Sequence, residues 1–364
     1  MRIGILTFHN AINYGAAIQC YALMRFFEQR GHTVEIVDYR IQAIEDYKKI
    51  FSLRTFWGTK GLKKKIYYVL ESVLLRKRRE RVISVFDDFL RTRLHLSDRY
   101  KDANEISQCY NYIIFGSDQI WNLKLTKGFN PVFWGQFNKG KAIFATYAAS
   151  MGETDYLSEN QWKTIVDKMQ AFDFISVREL SLKESLYAKF GMNVDWCLDP
   201  TLLVDAKTLD EIVVKPQNEN YVYLYNVTKD KHAEAFASHV ASLLGCKVIM
   251  SAPKPRIKQS NGCCVAEAIS PEEFLGYIKF AQMVIGNSFH AIILSIIFRK
   301  DFLSLNSYRP ERIRSVLKEL GLIERHVNST DFINRISHID YIKVEEKMNH
   351  LRESSMSYIN KIGL

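Results

Sequence analysis

No CxxC pair occurs among the six cysteines, Cys20, Cys109, Cys197, Cys246, Cys263 and Cys264. Their scatter fits buried or free thiols in a reducing compartment, and speaks against a disulfide framework or a structural zinc. The opening MRIGILTFHN breaks its short apolar run at His9 and Asn10, so it lacks the stretch and cleavage site of a secretion signal, and a cytoplasmic setting is expected. The most apolar segment, from Ala291 to Phe298, falls far short of the roughly 20 residues needed to span a bilayer. HExxH, clustered histidines with carboxylates and Asp-rich pairs are missing, which argues against metal catalysis. GxSxG is missing too, against a serine hydrolase. The first strand-to-helix turn carries neither GxGxxG nor GK[ST], so nucleotide fingerprints are absent there.

What is present is ordinary globular material. The 364 residues, 47% apolar and 25% charged, suggest two domains at about 150 residues each. The formal net charge of +10 implies an anionic partner, and it is concentrated. Between Arg54 and Arg81 stand ten basic residues (Arg54, Lys60, Lys63, Lys64, Lys65, Arg76, Lys77, Arg78, Arg79, Arg81) against Glu71 and Glu80. In the same window Ile66, Val69, Leu70, Val73 and Leu74 recur at helical spacing beside Phe56, Trp57, Tyr67 and Tyr68, the pattern of an amphipathic basic helix. Two readings stand open: a solvated basic face whose apolar stripe packs on the protein itself, or docking of residues 54–81 on an anionic membrane surface. Nucleic acid is disfavoured, because no further basic and aromatic positions are arranged for it.

Along the chain, Arg2 to Phe8, Ala16 to Arg30 and Thr33 to Tyr39 read as strand, helix and strand, with Gly31 stopping the helix. A basic helical insert then occupies about 54–95. Tyr112 to Phe115, Ala142 to Ala149 and Phe174 to Val177 read as further buried strands. After CLDPTLL (Cys197 to Leu203) the alternation restarts, with strands at Tyr221 to Val227, Lys247 to Ser251, Met283 to Ile285 and Phe302 to Leu305, and helices between them. The expected fold is α/β: two Rossmann-like domains facing a cleft, with parallel sheets. The expected division is 1–196, 197–335 and a helical segment at 336–364 that crosses back. Ligands of such sheets bind outside the carboxyl ends of the strands.

Candidate residues fall at those ends. HNAINYGAAIQ brings Asn13, Tyr14 and Gly15 to the first helix start, where free N–H groups favour an anion, or where Gly15 merely permits tight packing. IIFGSDQIWN crowds Ser117, Asp118 and Trp121 at a strand exit; these suit a sugar by hydroxyl hydrogen bonds and ring stacking, with helix capping as the plain alternative for Ser117 or Asp118. Ser150 ends ATYAAS. Arg178, in ISVRE, is suited to a bidentate grip on carboxylate or phosphate, or to a structural ion pair. VIGNSFHAIILSIIF presents Asn287, Ser288 and His290 at a helix start, with His290 a proton donor or a satisfied core residue. Arg309, Arg312 and Arg314 follow in SYRPERIRSVL.

Taken in order, NYGAAIQCYAL, FGSDQIWN, YAASMG, SVRE, CLDPTLL and NSFHAIILSIIFRKDFLSL resemble the polysaccharide pyruvyl transferase family, from about Gly4 to Leu322. The resemblance implies a GT-B-like fold and transfer from phosphoenolpyruvate, as co-substrate and without a cofactor, to a sugar hydroxyl pair. The products are a pyruvate ketal and phosphate, and the acceptor is a capsular, exopolysaccharide or cell-wall glycan or its lipid-diphosphate-linked precursor. By position, Arg178 looks like the family's donor-binding arginine and His290 like its catalytic histidine. Many members have Arg-Leu-His where this chain has Ser288, Phe289 and His290, so a cation must come from elsewhere; Arg312, with Arg309 in reserve, is the candidate. Donor contacts are thus expected from Arg178, Arg312, Arg309, Ser288 and Asn287. Acceptor contacts are expected from Asn13, Tyr14, Gly15, Ser117, Asp118, Trp121 and Ser150. Rival readings are a nucleotide-sugar glycosyltransferase, with Glu272 and Glu273 on the ribose, and a non-catalytic glycan- or lipid-surface binding protein.

Overall fold

Runs such as Tyr112–Gly116 and Tyr221–Tyr225, buried at every residue, can only be strands covered on both faces, and parallel sheets follow from them. The computed structural model describes residues 1–228, 230–251, 262–306, 310–327 and 338–364, without the side chains at 47, 53–55, 231, 310 and 311. In the first half β1 (Arg2–Leu6), β2 (Thr33–Asp38), β3 (Leu96–Arg99), β4 (Tyr112–Gly116) and β5 (Ile143–Tyr147) form a five-stranded parallel sheet in the order β3-β2-β1-β4-β5. Single bridges from Ala145 to Phe174 and from Ala149 to Val177 attach the short parallel pair β6 (Ser176–Val177) and β7 (Asp195–Trp196) to its edge. The second half repeats the same spatial order with β8 (Tyr221–Tyr225), β9 (Lys247–Ser251), β10 (Cys263–Ala266), β11 (Met283–Gly286) and β12 (Phe302–Ser304), arranged β10-β9-β8-β11-β12. Each half is Rossmann-like, and the pair is the GT-B-like α/β architecture expected from the sequence.

The first helix, Tyr14–Gln29, starts where the Asn13 side chain accepts from the Ala16 amide and stops at Gly31, whose φ of +84° suits a residue without Cβ. It lies at the junction of the halves. The Tyr14 ring stacks on Phe274 of the second half at 4.5 Å, with Phe86 at 5.1 Å and Tyr225 at 5.8 Å around it. Pairs of this kind contribute about 0.5–1.5 kcal/mol each beyond the burial of their area. One apolar cluster runs through the junction, from Ile5 and Tyr14 to Phe274 and Ile292.

The expected basic insert is three helices: Leu53–Gly58, Leu62–Leu74 and Arg76–Arg93. The last of these buries Val82, Phe86, Phe89 and Leu90. It reaches the second half through Arg78 to Glu267 at 3.1 Å and Arg93 to Glu272 at 3.0 Å. The C-terminal helix, Tyr341–Lys361, returns to the first half, where Tyr358 donates to the Thr146 carbonyl at 2.6 Å and Tyr112 to the Ile362 carbonyl at 3.0 Å. Among the described residues no helix is long and apolar enough to cross a membrane.

Candidate active site

Short polar segments follow the buried strands, so side chains able to do chemistry emerge where the strands end. Asp118 follows β4, Ser150 follows β5, Arg178 and Glu179 follow β6, and Asp199 follows β7. Arg178 is the hub. Its Nη1 donates to Asp199 Oδ2 at 2.8 Å, while Glu179 Oε1 and Asp118 Oδ1 lie 3.6 and 3.8 Å from its Nε and Nη2. Burial alone would weaken the charge of Arg178, but Glu179, Asp199 and Asp118 together raise its pKa. Burial likewise pushes Asp199 up, yet His290 and Arg178 beside it, with the Thr201 hydroxyl, hold it well below the usual carboxylate range. Asp199 Oδ1 accepts from both the amide and the hydroxyl of Thr201, at 3.2 and 2.8 Å. Glu179 is fixed in turn by Ser150, whose hydroxyl donates to Oε1 at 2.6 Å.

The second half closes the site. His290 sits in the first turn of the helix Phe289–Ile297, directly after β11, with Nε2 at 3.4 Å from Asp199 Oδ2 but without a hydrogen bond. Its ring lies against Gly15 of the first half: a Cβ at position 15 would stand 2.0 Å from His290 Nδ1. The glycine at the first helix start is therefore a seat for the imidazole. Arg312, from the helix Pro310–Leu320, lies over the Phe289 ring at 4.6 Å and brings its Nε to 4.0 Å from Glu179 Oε1. Burial and then the like charge of Arg178 lower its pKa to about 10, so it remains a cation at neutral pH. Ser288 heads the His290 helix without a side-chain capping bond, which leaves first-turn amides open to an anion.

Several polar atoms here are buried without a hydrogen-bond partner among the described residues: Arg178 Nε and Nη2, Arg312 Nη2, His290 Nε2 and Glu179 Oε2. Buried polar groups are nearly always satisfied. Four potential donors and one acceptor are thus left over within one constellation, a set that can take up a polar ligand. No group of His, Cys, Asp and Glu among the described residues is arranged to hold a metal ion.

Of the residues singled out in the sequence, Arg178, Arg312, His290, Gly15, Asp118 and Ser150 belong to this constellation, with Asn13 exposed at the helix start beside it. Others have structural duties. Trp121 is wholly buried, stacked on Trp134 at 4.9 Å with Nε1 donating to the Phe133 carbonyl, so it offers no face to a sugar. Tyr14 is buried in the aromatic junction, its hydroxyl spent on the Ile269 carbonyl at 3.2 Å. Ser117 is buried and donates to the Ala148 carbonyl at 3.0 Å. Asn287 locks the loop after β8, accepting from the Val227 amide at 2.8 Å and donating to Asn226 at 3.0 Å. Arg309 lies outside the described residues. Asp199 and Glu179 were not singled out. Their sequence signal is faint but present: an acidic residue two or three positions beyond a short strand, in SVRE and in CLDPTLL.

The model of the family described as polysaccharide pyruvyl transferase matches residues 13–307, well over half of the chain. The chain belongs to that family. A polysaccharide pyruvyl transferase is a transferase, and its family ties it to polysaccharide synthesis. No curated protein matches the chain in sequence. Solved structures similar to this pyruvyl transferase family member include UDP-GlcNAc 2-epimerase from Methanocaldococcus jannaschii, at 12% identity and a TM-score of 0.45, covering 97% of this chain and 93% of that one. The spinosyn rhamnosyltransferase SpnG has 10% identity and a TM-score of 0.47, covering 99% and 100%. The E. coli heptosyltransferase WaaC has 10% identity and a TM-score of 0.39, covering 84% and 88%.

The seat on Gly15 yields a direct test. Gly15→Ala places a methyl group where the ring of His290 lies, and the imidazole must move by an ångström or more. A displacement of that size costs about a hundredfold in rate. The expected result is turnover reduced by that order, with a circular dichroism spectrum like that of the parent.

Proposed function

We propose that this pyruvyl transferase takes phosphoenolpyruvate as donor and a sugar hydroxyl pair of a surface glycan or its precursor as acceptor. The observation that carries the reading is the set of buried, unsatisfied donors on Arg178, Arg312 and His290, drawn from both halves of the chain. Arg178 and Arg312 offer their open N–H groups to the carboxylate and phosphate of the donor, charge-assisted contacts of the strong kind. Glu179 Oε2, an acceptor without a donor, is suited to a sugar hydroxyl, and Asp118 Oδ1 lies 3.8 Å from Arg178 Nη2.

The chemistry balances without a further reactant. A proton delivered to the vinyl carbon C3 leaves cationic character at C2, which the oxygen of one sugar hydroxyl attacks. The second hydroxyl then displaces phosphate at C2 and closes the ketal. Of the two hydroxyl protons, one replaces the proton given to C3 and the other departs with phosphate. His290 is the group that moves the proton to C3, and Glu179 receives the proton of the attacking hydroxyl. Asp199, bonded to Arg178 and adjacent to His290, positions both.

The rivals lose their main supports. Glu273 is used in a capping box, where it accepts from the Ser270 amide at 2.7 Å, and Glu272 pairs through Oε1 with Arg93 at 3.0 Å, so Glu273 is spent and Glu272 keeps only its buried Oε2 open. Arg312 and Arg178 both approach Glu179 Oε1, and this second guanidinium in the constellation supports a catalyst over a silent binding protein. The test is release of inorganic phosphate from phosphoenolpyruvate in the presence of galactose- or mannosamine-containing glycans, alongside thermal shift. Stabilisation by phosphoenolpyruvate and not by nucleotide sugars is expected. Stabilisation by nucleotide sugars alone would replace this reading with a glycosyltransferase.

A further inference from the structure

The helix Leu62–Leu74 has its apolar stripe on the wrong side for a globular protein. It touches the body through Ser72, the half-buried Tyr68, whose hydroxyl accepts from the Ser52 amide, and the buried Leu75 that follows it. Leu62, Ile66, Val69, Leu70, Val73 and Leu74 share the opposite face, and all are exposed: Leu62 at 75%, Val73 at 68% and Leu74 at 66% of their surface. Trp57, in the short helix before it, is 71% exposed, with the Lys65 ammonium 4.8 Å above its ring. Single exposed apolar residues are ordinary, but a continuous stripe of this kind on one helix marks a docking face. The stripe is bordered by cations. Lys63, Lys64 and Lys77 are exposed around it, whereas the neighbouring acids are occupied, Glu71 by Arg79 and Glu80 by Arg76.

We infer that this face docks on an anionic lipid surface. Charge decides among the occupants. A second copy of the chain would bring the same cations face to face, a like-charge contact that interfaces avoid. An anionic bilayer accepts the apolar stripe at its headgroup boundary while attracting the lysines, with both terms acting in one direction. The base is firm, since the following helix, Arg76–Arg93, is packed into the core and ion-paired to the second half. The docked face thereby holds the junction of the two halves close to the surface. The inference is independent of the chemistry proposed for the cleft.

The full-length protein is sedimented with vesicles of phosphatidylcholine alone and of phosphatidylcholine with phosphatidylglycerol. It is expected to pellet with the second and not the first, and to release at high salt. The triple variants Lys63→Glu/Lys64→Glu/Lys77→Glu and Leu70→Ser/Val73→Ser/Leu74→Ser are each expected to lower partitioning at least about tenfold, with melting temperatures like that of the parent. Three results would overturn the inference: no pelleting of the parent, pelleting unchanged in both variants, or a dimer in analytical ultracentrifugation that the serine variant dissolves. Phosphate release on a water-soluble acceptor, measured with the same variants, is expected to match the parent, so a failure of the proposed reaction is read separately.

Discussion

His290→Ala is expected to lower phosphate release from phosphoenolpyruvate by about a hundred- to ten-thousand-fold, the range associated with loss of a positioned acid or base. Folding should lose less than activity does. The imidazole helps to keep Asp199 ionised from 3.4 Å, but Asp199 keeps its hydrogen bonds to Arg178 and Thr201 when the ring is gone. The cost should stay within the common range for a single substitution, about 0.5–3 kcal/mol. His290→Gln sharpens the result, because it retains much of the volume and can donate a hydrogen bond but cannot shuttle a proton at neutral pH. Activity at parental levels in either variant would remove His290 from proton transfer. A pH–rate profile that loses one limb in the variant would identify the group directly.

Arg178→Ala should do two kinds of damage. Read from sequence, the residue binds the donor, and its loss raises the concentration of phosphoenolpyruvate required. The structure adds that Asp199, fully buried, loses its closest cation, and that Glu179 loses one too. Breaking a buried ion pair by deleting one partner costs about 3–5 kcal/mol, so the variant should unfold at distinctly lower urea and express poorly. Arg178→Lys separates the effects. A lysine keeps the charge near Asp199 but has no fork to span two ligand oxygens, so stability should largely return while the donor KM stays high. A lysine variant with parental KM would show that Arg178 serves the fold alone.

Much of this arrangement is legible in the chain. The buried strand cores and the helix starts after β1 and β11 stand out because parallel strands read as continuous apolar runs closed by glycine or polar turns. Hence His290, Arg178 and Gly15 can be picked out as residues at strand ends. The strands that escape notice are β3 (LSDR), β7 (DW) and β10 (CCVA), edge pieces too short or too polar to form a run. The site is harder. Asp199 and His290 are ninety-one positions apart, and only the meeting of the two halves brings them within 3.4 Å. Trp121 and Tyr14 mislead for a physical reason: an aromatic with a polar tip near a strand exit suits a sugar and a buried core alike. What decides is whether a backbone carbonyl already takes the tip, as the Phe133 and Ile269 carbonyls do.

The C-terminal helix has a consequence for how the molecule is made. Its Tyr358 and the residues just beyond it fasten onto Thr146 and Tyr112, which leave the ribosome more than two hundred positions earlier. Domains emerging from a ribosome tend to fold in order, amino-terminal first, but here the earlier half must wait for a late-arriving clasp. The nascent first half therefore carries an uncovered flank throughout synthesis of the second, and a chaperone has its longest opportunity there.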